Sequence, residues 1–182
     1  MKLTTWVCAG LLAGVLAATA GASPAPAHAK PKPAAKAAVN RARERSIDAI
    51  QATLAAVTDD GEKNRWTRNL GLWRHVVEKK GDLKAIDYEA FRPEMAELTG
   101  AIAGLPEDDE KERWESDEAL WEHVVDSQGD LARADPKQLD RWFGKMQREA
   151  AKVTEPGEKT RWTRNIALWK SVLPKPAAPA AK

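Results

Sequence analysis

The chain has 182 residues, of which 29 are lysine or arginine and 27 are aspartate or glutamate, so its formal net charge is only +2. This balance argues against a dedicated nucleic-acid binder, whose folded surface should be strongly basic. Several lysines lie in the alanine- and proline-rich ends of the sequence, which leaves the central region mildly acidic. The single cysteine, Cys8, allows no disulfide within the chain, so the folded domain must be stabilised by packing.

The first 29 residues have the pattern of a secretory signal peptide. Lys2 precedes an apolar run, and small residues suited to cleavage follow, among them Ala20-Gly21-Ala22 and Ala27-His28-Ala29. The apolar run is too short for a membrane span, which needs about 20 such residues, and no later segment approaches that length. We therefore expect cleavage after Ala29, or alternatively after Ala22, and a periplasmic or secreted protein without a transmembrane span.

Short segments rich in alanine, proline and lysine flank the central region. Residues 30–37 and 175–182 carry too few large apolar side chains to offset the entropy cost of ordering them. We expect the first segment to be a linker and the second a disordered tail. The folded domain should then span residues 38–174.

One sequence pattern occurs three times at a spacing of 48 residues. Each copy carries Glu-Lys-x-Arg-Trp, followed in the same register by Leu-Trp and then Val, starting at Glu62, Glu110 and Glu158. Seven identities without a gap make chance a poor explanation, so the sequence predicts three tandem repeats. The predicted repeats cover about residues 38–82, 83–130 and 131–174.

Each copy has the apolar periodicity of two helices. In the first copy, a stripe with spacings of three, four and three residues runs from Ile47 to Val57, and the same spacing recurs from Trp66 to Val76. Glycine at positions 81 and 129 ends the second helix of the first two copies. Three such αα-hairpins predict an all-α fold, either a short α-solenoid or a compact six-helix bundle.

The charged residues of the repeated motif are explained mostly by helix physics. Glu62 lies in the first turn of its helix, where a negative charge is favourable. Arg65 is within reach of Glu62, one turn before it on the same helix. Equivalent pairs exist in the other two copies, so we attribute the motif to structure more than to function.

Two tryptophans stand seven residues apart on one helix face in every copy. We expect them to be core residues, because a helix buries its largest apolar surfaces on one stripe. The alternative is an exposed platform for a sugar, a small ligand or a peptide. Asp117 lies on the same stripe and is expected to pair with Arg113 or with an arginine of an adjacent helix, since an unpaired buried charge is costly. The candidate ligand-binding residues are Trp66, Trp73, Trp114, Trp121, Trp162 and Trp169.

The second helix of the middle copy is acidic where its counterparts are neutral or basic. One interpretation is that this helix attracts its basic neighbours, so that the middle copy lies between the outer two. The other interpretation is a docking surface for a cationic partner. The residues of this candidate partner-binding face are Glu112, Glu115, Glu118 and Glu122.

Candidate catalytic and metal-binding groups are sparse. His75 with Glu78, and His123 with Asp126, stand at a spacing that suits chelation, but no third ligand is evident, so we expect no metal and no cofactor. No nucleophile is paired with a base, and there is no phosphate-binding loop. The leading hypothesis is a non-catalytic, protein-binding or scaffolding module of the cell envelope, whose partner is another envelope or extracellular macromolecule. A glycan or small-ligand binder is the alternative, and an enzyme of unknown class is third.

Overall fold

The computed structural model of the chain describes residues 33–174, in which six α-helices alternate with short turns. The predicted signal peptide, residues 30–32 of the predicted linker and the tail from residue 175 lie outside the described residues. A short 3-10 helix, Leu83–Ala85, follows α2. The helices are α1 (Pro33–Leu54), α2 (Asp60–Glu78), α3 (Tyr88–Ala103), α4 (Asp109–Asp126), α5 (Pro136–Ala151) and α6 (Pro156–Lys170).

The first helix begins before the predicted domain boundary. We expected the folded domain to start at Ala38, but α1 starts at Pro33 and includes the last five residues of the predicted linker. Proline suits the first position of a helix because its missing N–H has no partner there, and the alanines that follow are the best helix formers. The same residues that hold little apolar surface therefore extend α1 by local propensity.

The other helices begin at side-chain caps. Asp59 accepts a hydrogen bond from the Glu62 amide at the start of α2, and Glu155 accepts from the amides of Gly157 and Glu158 at the start of α6. In α4 the cap is Asp108, which is one residue later than the position equivalent to Asp59. These carboxylates satisfy amides that have no partner inside the helix.

The six helices form a closed bundle. The second helices of the three copies, α2, α4 and α6, form its centre, and α1, α3 and α5 lie outside them. Each outer helix packs more extensively on the inner helix of the preceding copy than on its own hairpin partner, so that α3 lies on α2, α5 on α4 and α1 on α6. The all-α prediction is confirmed, and of the two architectures considered the compact bundle is observed.

The contact between α1 and α6 also decides the order of the copies. We expected the middle copy to lie between the outer two instead of at one edge; it contacts both of them, but the first and third copies also contact each other directly, so no copy lies at an edge. Arg43 of α1 donates hydrogen bonds to the carbonyl and the hydroxyl oxygen of Ser171 at the end of α6, and to the carbonyl of Lys80 after α2. This buried arginine joins the first helix to the ends of α2 and α6.

The core contains two layers of tryptophan, each with one indole from every inner helix. In the first tryptophan layer the ring centroids lie 4.8–4.9 Å apart, and in the second they lie 4.4–4.9 Å apart. Steeply inclined rings at these distances are favourable by about 0.5–1.5 kcal/mol per pair beyond their burial. The first layer is Trp66, Trp114 and Trp162, and the second is Trp73, Trp121 and Trp169.

Candidate functional site

A buried polar layer separates the two tryptophan layers. Asn69, Asp117 and Asn165 lie three residues after the first tryptophan and four before the second in their respective helices, and all three are 0% exposed. The Asn69 amide nitrogen donates to the Asn165 carbonyl oxygen at 3.2 Å, and the Asn165 amide nitrogen donates to Asp117 Oδ1 at 2.7 Å. We call these three residues the polar ring.

Each indole of the second tryptophan layer donates its N–H to a member of the polar ring in another copy. The donor-to-acceptor distances lie between 2.6 and 3.0 Å. An indole N–H in a core needs such an acceptor, because a buried donor without one costs about 1–3 kcal/mol. The pairs are Trp73 with Asn165 Oδ1, Trp121 with Asn69 Oδ1, and Trp169 with Asp117 Oδ1.

The carboxyl group of Asp117 has no arginine partner within residues 33–174. We expected an ion pair with Arg113 or with an arginine of a neighbouring helix, and this was wrong, because Arg113 binds Glu158 instead. Complete burial raises the pKa of Asp117 to about 6, although the hydrogen bonds from Trp169 and Asn165 favour its charged form. Among the described residues, Asp117 Oδ2 has no hydrogen-bond partner.

Three ion pairs join the copies at the amino-terminal ends of the inner helices. Each buried arginine of the repeated motif binds the motif glutamate of the next copy, and the third arginine binds the glutamate of the first copy. We expected these arginines to reach the glutamate of their own helix, but each one bridges an interface. The pairs are Arg65 with Glu110 at 2.6 Å, Arg113 with Glu158 at 2.7 Å, and Arg161 with Glu62 at 2.6 Å.

The six tryptophans considered as ligand-binding residues are 0–1% exposed. Their faces contact one another, and two of them also lie near arginines, with Cζ of Arg65 at 6.0 Å from the Trp114 ring and Cζ of Arg113 at 5.8 Å from the Trp162 ring. These indoles are core residues, and a ligand platform formed by Trp66, Trp73, Trp114, Trp121, Trp162 and Trp169 is not present in this fold.

The four glutamates of the candidate partner-binding face lie on α4 in two different settings. Glu112 is 3.8 Å from Lys145 of α5. Glu115, Glu118 and Glu122 have no ion-pair partner within residues 33–174, and we call these three the acidic face. Burial raises the pKa of Glu118, a hydrogen bond from Thr99 opposes this, and repulsion from Glu122 and Glu115 adds to it.

The histidines do not assemble a metal site in the described part of the chain. His75 Nε2 lies 3.3 Å from Glu94 Oε1, and His123 Nε2 lies 3.2 Å from Gln138 Oε1, so each contacts an outer helix. Within residues 33–174, no three histidine, cysteine, aspartate or glutamate side chains come together as metal ligands.

The structure contains a basic groove that was not predicted from the sequence. It has a volume of about 600 Å³ and lies between the first turns of α1 and the turn that follows α2. Its basic side chains are Lys36, Arg41, Lys79 and Lys80. One signal for it was in the sequence, since Lys79-Lys80 stands where the second copy has Ser127-Gln128.

Among residues 33–174, no helix combines the length and the apolar character that crossing a membrane requires. Comparison of the chain with protein-family models, with curated proteins and with solved structures finds no match.

Proposed function

We propose that this protein is a non-catalytic binding module of the cell envelope that docks a cationic segment of another macromolecule on the acidic face. The observation that carries the proposal is the group of three glutamates on one stripe of α4, Glu115, Glu118 and Glu122, which have no ion-pair partner among the described residues. Their spacing of three and four residues places them along about 10 Å of one helix side.

Electrostatics supports a partner of opposite charge. Glu118 is half-buried, and both its burial and its acidic neighbours disfavour its charged form. Like charges held together on a surface are destabilising, and a cationic partner relieves the repulsion when it binds. The inner helix that carries these residues is anchored by Trp114 and Trp121, so the stripe is presented on a rigid element.

Other parts of the proposal rest on the sequence. The signal-peptide pattern supports a partner in the envelope or outside the cell. The non-catalytic assignment rests on a sequence that offers no nucleophile paired with a base and no phosphate-binding loop.

The acidic face is tested by replacing its three glutamates with glutamine. A lysine-rich peptide labelled with a fluorophore serves as the cationic probe, and binding is followed by fluorescence anisotropy at low and at physiological salt. We expect Glu115→Gln, Glu118→Gln and Glu122→Gln together to weaken binding by about tenfold or more, which corresponds to about 1.4 kcal/mol. Added salt should weaken binding to the native protein, because it screens the charges.

A matched variant removes three other exposed carboxylates. Glu44 and Asp48 of α1, with Asp140 of α5, are exposed and lie on outer helices. Their replacement by Asn or Gln gives the same change in net charge, and we expect it to reduce the affinity only slightly. Equal loss in both triple variants would mean that the peptide senses net charge, and the acidic face would then not be the docking surface.

A further inference from the structure

The hydrogen bonds of the polar ring are incomplete at one position. Asn69 and Asn165 each donate an amide hydrogen to the next member of the ring. The cycle requires a third donor from Asp117 to Asn69, but a carboxylate has no hydrogen to donate. Accordingly, among the described residues Asn69 Oδ1 accepts from Trp121 alone, whereas Asn165 Oδ1 and Asp117 Oδ1 each accept from one indole and one amide.

We propose that Asp117 is a proton-binding switch in the core, whose neutral carboxylic acid donates from Oδ2 to Asn69 Oδ1 and completes the polar ring. The atom available for this bond is the buried oxygen that has no partner among the described residues. Loss of the proton leaves a charge in the core and two acceptor oxygens in place of a donor and an acceptor. The bundle is therefore tightened by protonation and loosened by deprotonation.

Burial outweighs the hydrogen bonds from Trp169, Asn165 and Trp121 that stabilise the negative charge of Asp117. On the sides of α2 and α6 its neighbours are carboxamides and indoles, and Met146 of α5 contacts Asn165. Of the charged groups in residues 33–174, Glu118 of its own helix acts most on Asp117, and it also disfavours ionisation. Seven basic side chains of the inner and outer helices and their ends are bound to other groups: Arg65 to Glu110, Arg113 to Glu158, Arg161 to Glu62, His75 to Glu94, Lys145 to Glu112, Lys152 to Glu149 and Arg43 to Ser171.

The direction of the pH dependence follows from the folded and unfolded states. The pKa of Asp117 is about 6 in the folded protein, against 3.8 for an ordinary aspartate. The folded state therefore holds the proton more tightly than the unfolded state between these two values. The stabilisation is complete below the ordinary pKa and is lost as the pH rises through about 6. The difference between the two pKa values corresponds to a rise of roughly a hundredfold in the unfolding equilibrium constant as the pH increases through this range.

The switch is tested by measuring the free energy of unfolding of the native protein and of Asp117→Asn between pH 4 and pH 8. Asparagine supplies the missing amide donor without a charge. We expect the unfolding constant of the native protein to rise by roughly a hundredfold across this range, and that of Asp117→Asn to change much less. At pH 8 the variant should be the more stable protein. Equal pH dependence in the two proteins would overturn the proposal.

Two matched variants separate the core carboxyl from other acids. Glu118→Gln removes the half-buried neighbour whose pKa is also raised, and most of the pH dependence should survive in it. Asn69→Asp combined with Asp117→Asn moves the carboxyl group to α2. The unfolding free energy of this double variant should again depend on pH, as Asp117→Asn alone should not. If Glu118→Gln abolishes the dependence, the switch is not Asp117.

A direct titration does not depend on any variant. The chemical shift of the Asp117 carboxyl carbon, followed by nuclear magnetic resonance in the native protein, should report a midpoint near 6. A midpoint at or below that of an ordinary aspartate would mean that the core holds a carboxylate, and the proposal would be wrong.

Discussion

Replacing Trp121 by alanine should destabilise the bundle by about 3–5 kcal/mol, the range for a large aromatic removed from a core. Trp121 is 0% exposed and lies against Trp73, Trp169 and Phe91, with ring centroids 4.6, 4.4 and 5.5 Å away. The substitution also removes the N–H that Asn69 accepts. Because small domains are stable by only about 5–15 kcal/mol, most molecules of the variant should be unfolded at moderate denaturant concentrations.

The effect is measured by chemical denaturation followed by circular dichroism, since fluorescence itself changes with the tryptophan content. Trp142→Ala is the matched control, because Trp142 is only half-buried and belongs to neither tryptophan layer. Trp121→Phe keeps a ring but removes the N–H. The loss of stability in this variant should lie between those of Trp121→Ala and Trp142→Ala. If Trp121→Ala were no more damaging than Trp142→Ala, the two layers would not be the centre of the core.

Gly129→Ala should cost about 2–5 kcal/mol, the sum of left-handed backbone strain and overpacking. Gly129 lies in the turn after α4 with a φ of +73°, and its amide donates to the Val124 carbonyl at 2.8 Å. A Cβ there would lie 2.3 Å from the carbonyl carbon of Leu83, in the turn after α2. Backbone atoms cannot change rotamer as a side chain can. The turn that contains Gly129 and the segment that contains Leu83 must therefore move apart.

Two other glycines provide comparisons for Gly129→Ala. At Gly81, φ is also positive, but an added Cβ meets the end of the flexible Arg43 side chain, so Gly81→Ala should cost less. At Gly104, φ is −82° and an added Cβ meets no atom within 4 Å. Gly104→Ala should be neutral or stabilising by about 0.4–1 kcal/mol. Thermal denaturation of the three variants checks this order, and equal costs at Gly81 and Gly129 would contradict the close approach of the two turns.

The hairpins and the tryptophan core could be predicted from the sequence because both depend on local periodicity. Trp66 and Trp73 share a stripe with Asn69 and Val76, and a helix can bury such a stripe on one side only. Local periodicity did not predict the start of α1, because the helix propensity of the alanine-rich residues extends α1 to Pro33, within the predicted linker. Composition alone did not distinguish an unfolded segment from a solvated helical turn.

The closure of the bundle could not be predicted from the sequence. A solenoid and a ring have the same spacing along the chain, and they differ only in whether the first and last copies meet. Arg65 stands three residues from Glu62 yet binds Glu110, because the inner helices lie close enough for the longer contact. The partners of Asp117 were missed for the same reason, since Asn165 and Trp169 are brought to it by another copy.

The closed arrangement requires the third ion pair to join the last copy to the first. Arg161 and Glu62 are 99 residues apart in sequence and belong to the last and first copies, yet their side chains meet at 2.6 Å. The pairs Arg65 with Glu110 and Arg113 with Glu158 join consecutive copies by the same contact. A linear array would preserve the consecutive pairs and separate Arg161 from Glu62.

A double-mutant cycle with Arg161→Met and Glu62→Gln measures this contact directly, with the two consecutive pairs as references. We predict a coupling energy of about 0.5–3 kcal/mol for Arg161 with Glu62, equal within error to those of the reference pairs. Arg65 with Glu62, on one helix, should show almost no coupling. Coupling in both reference pairs with none between Arg161 and Glu62 would contradict the closed bundle.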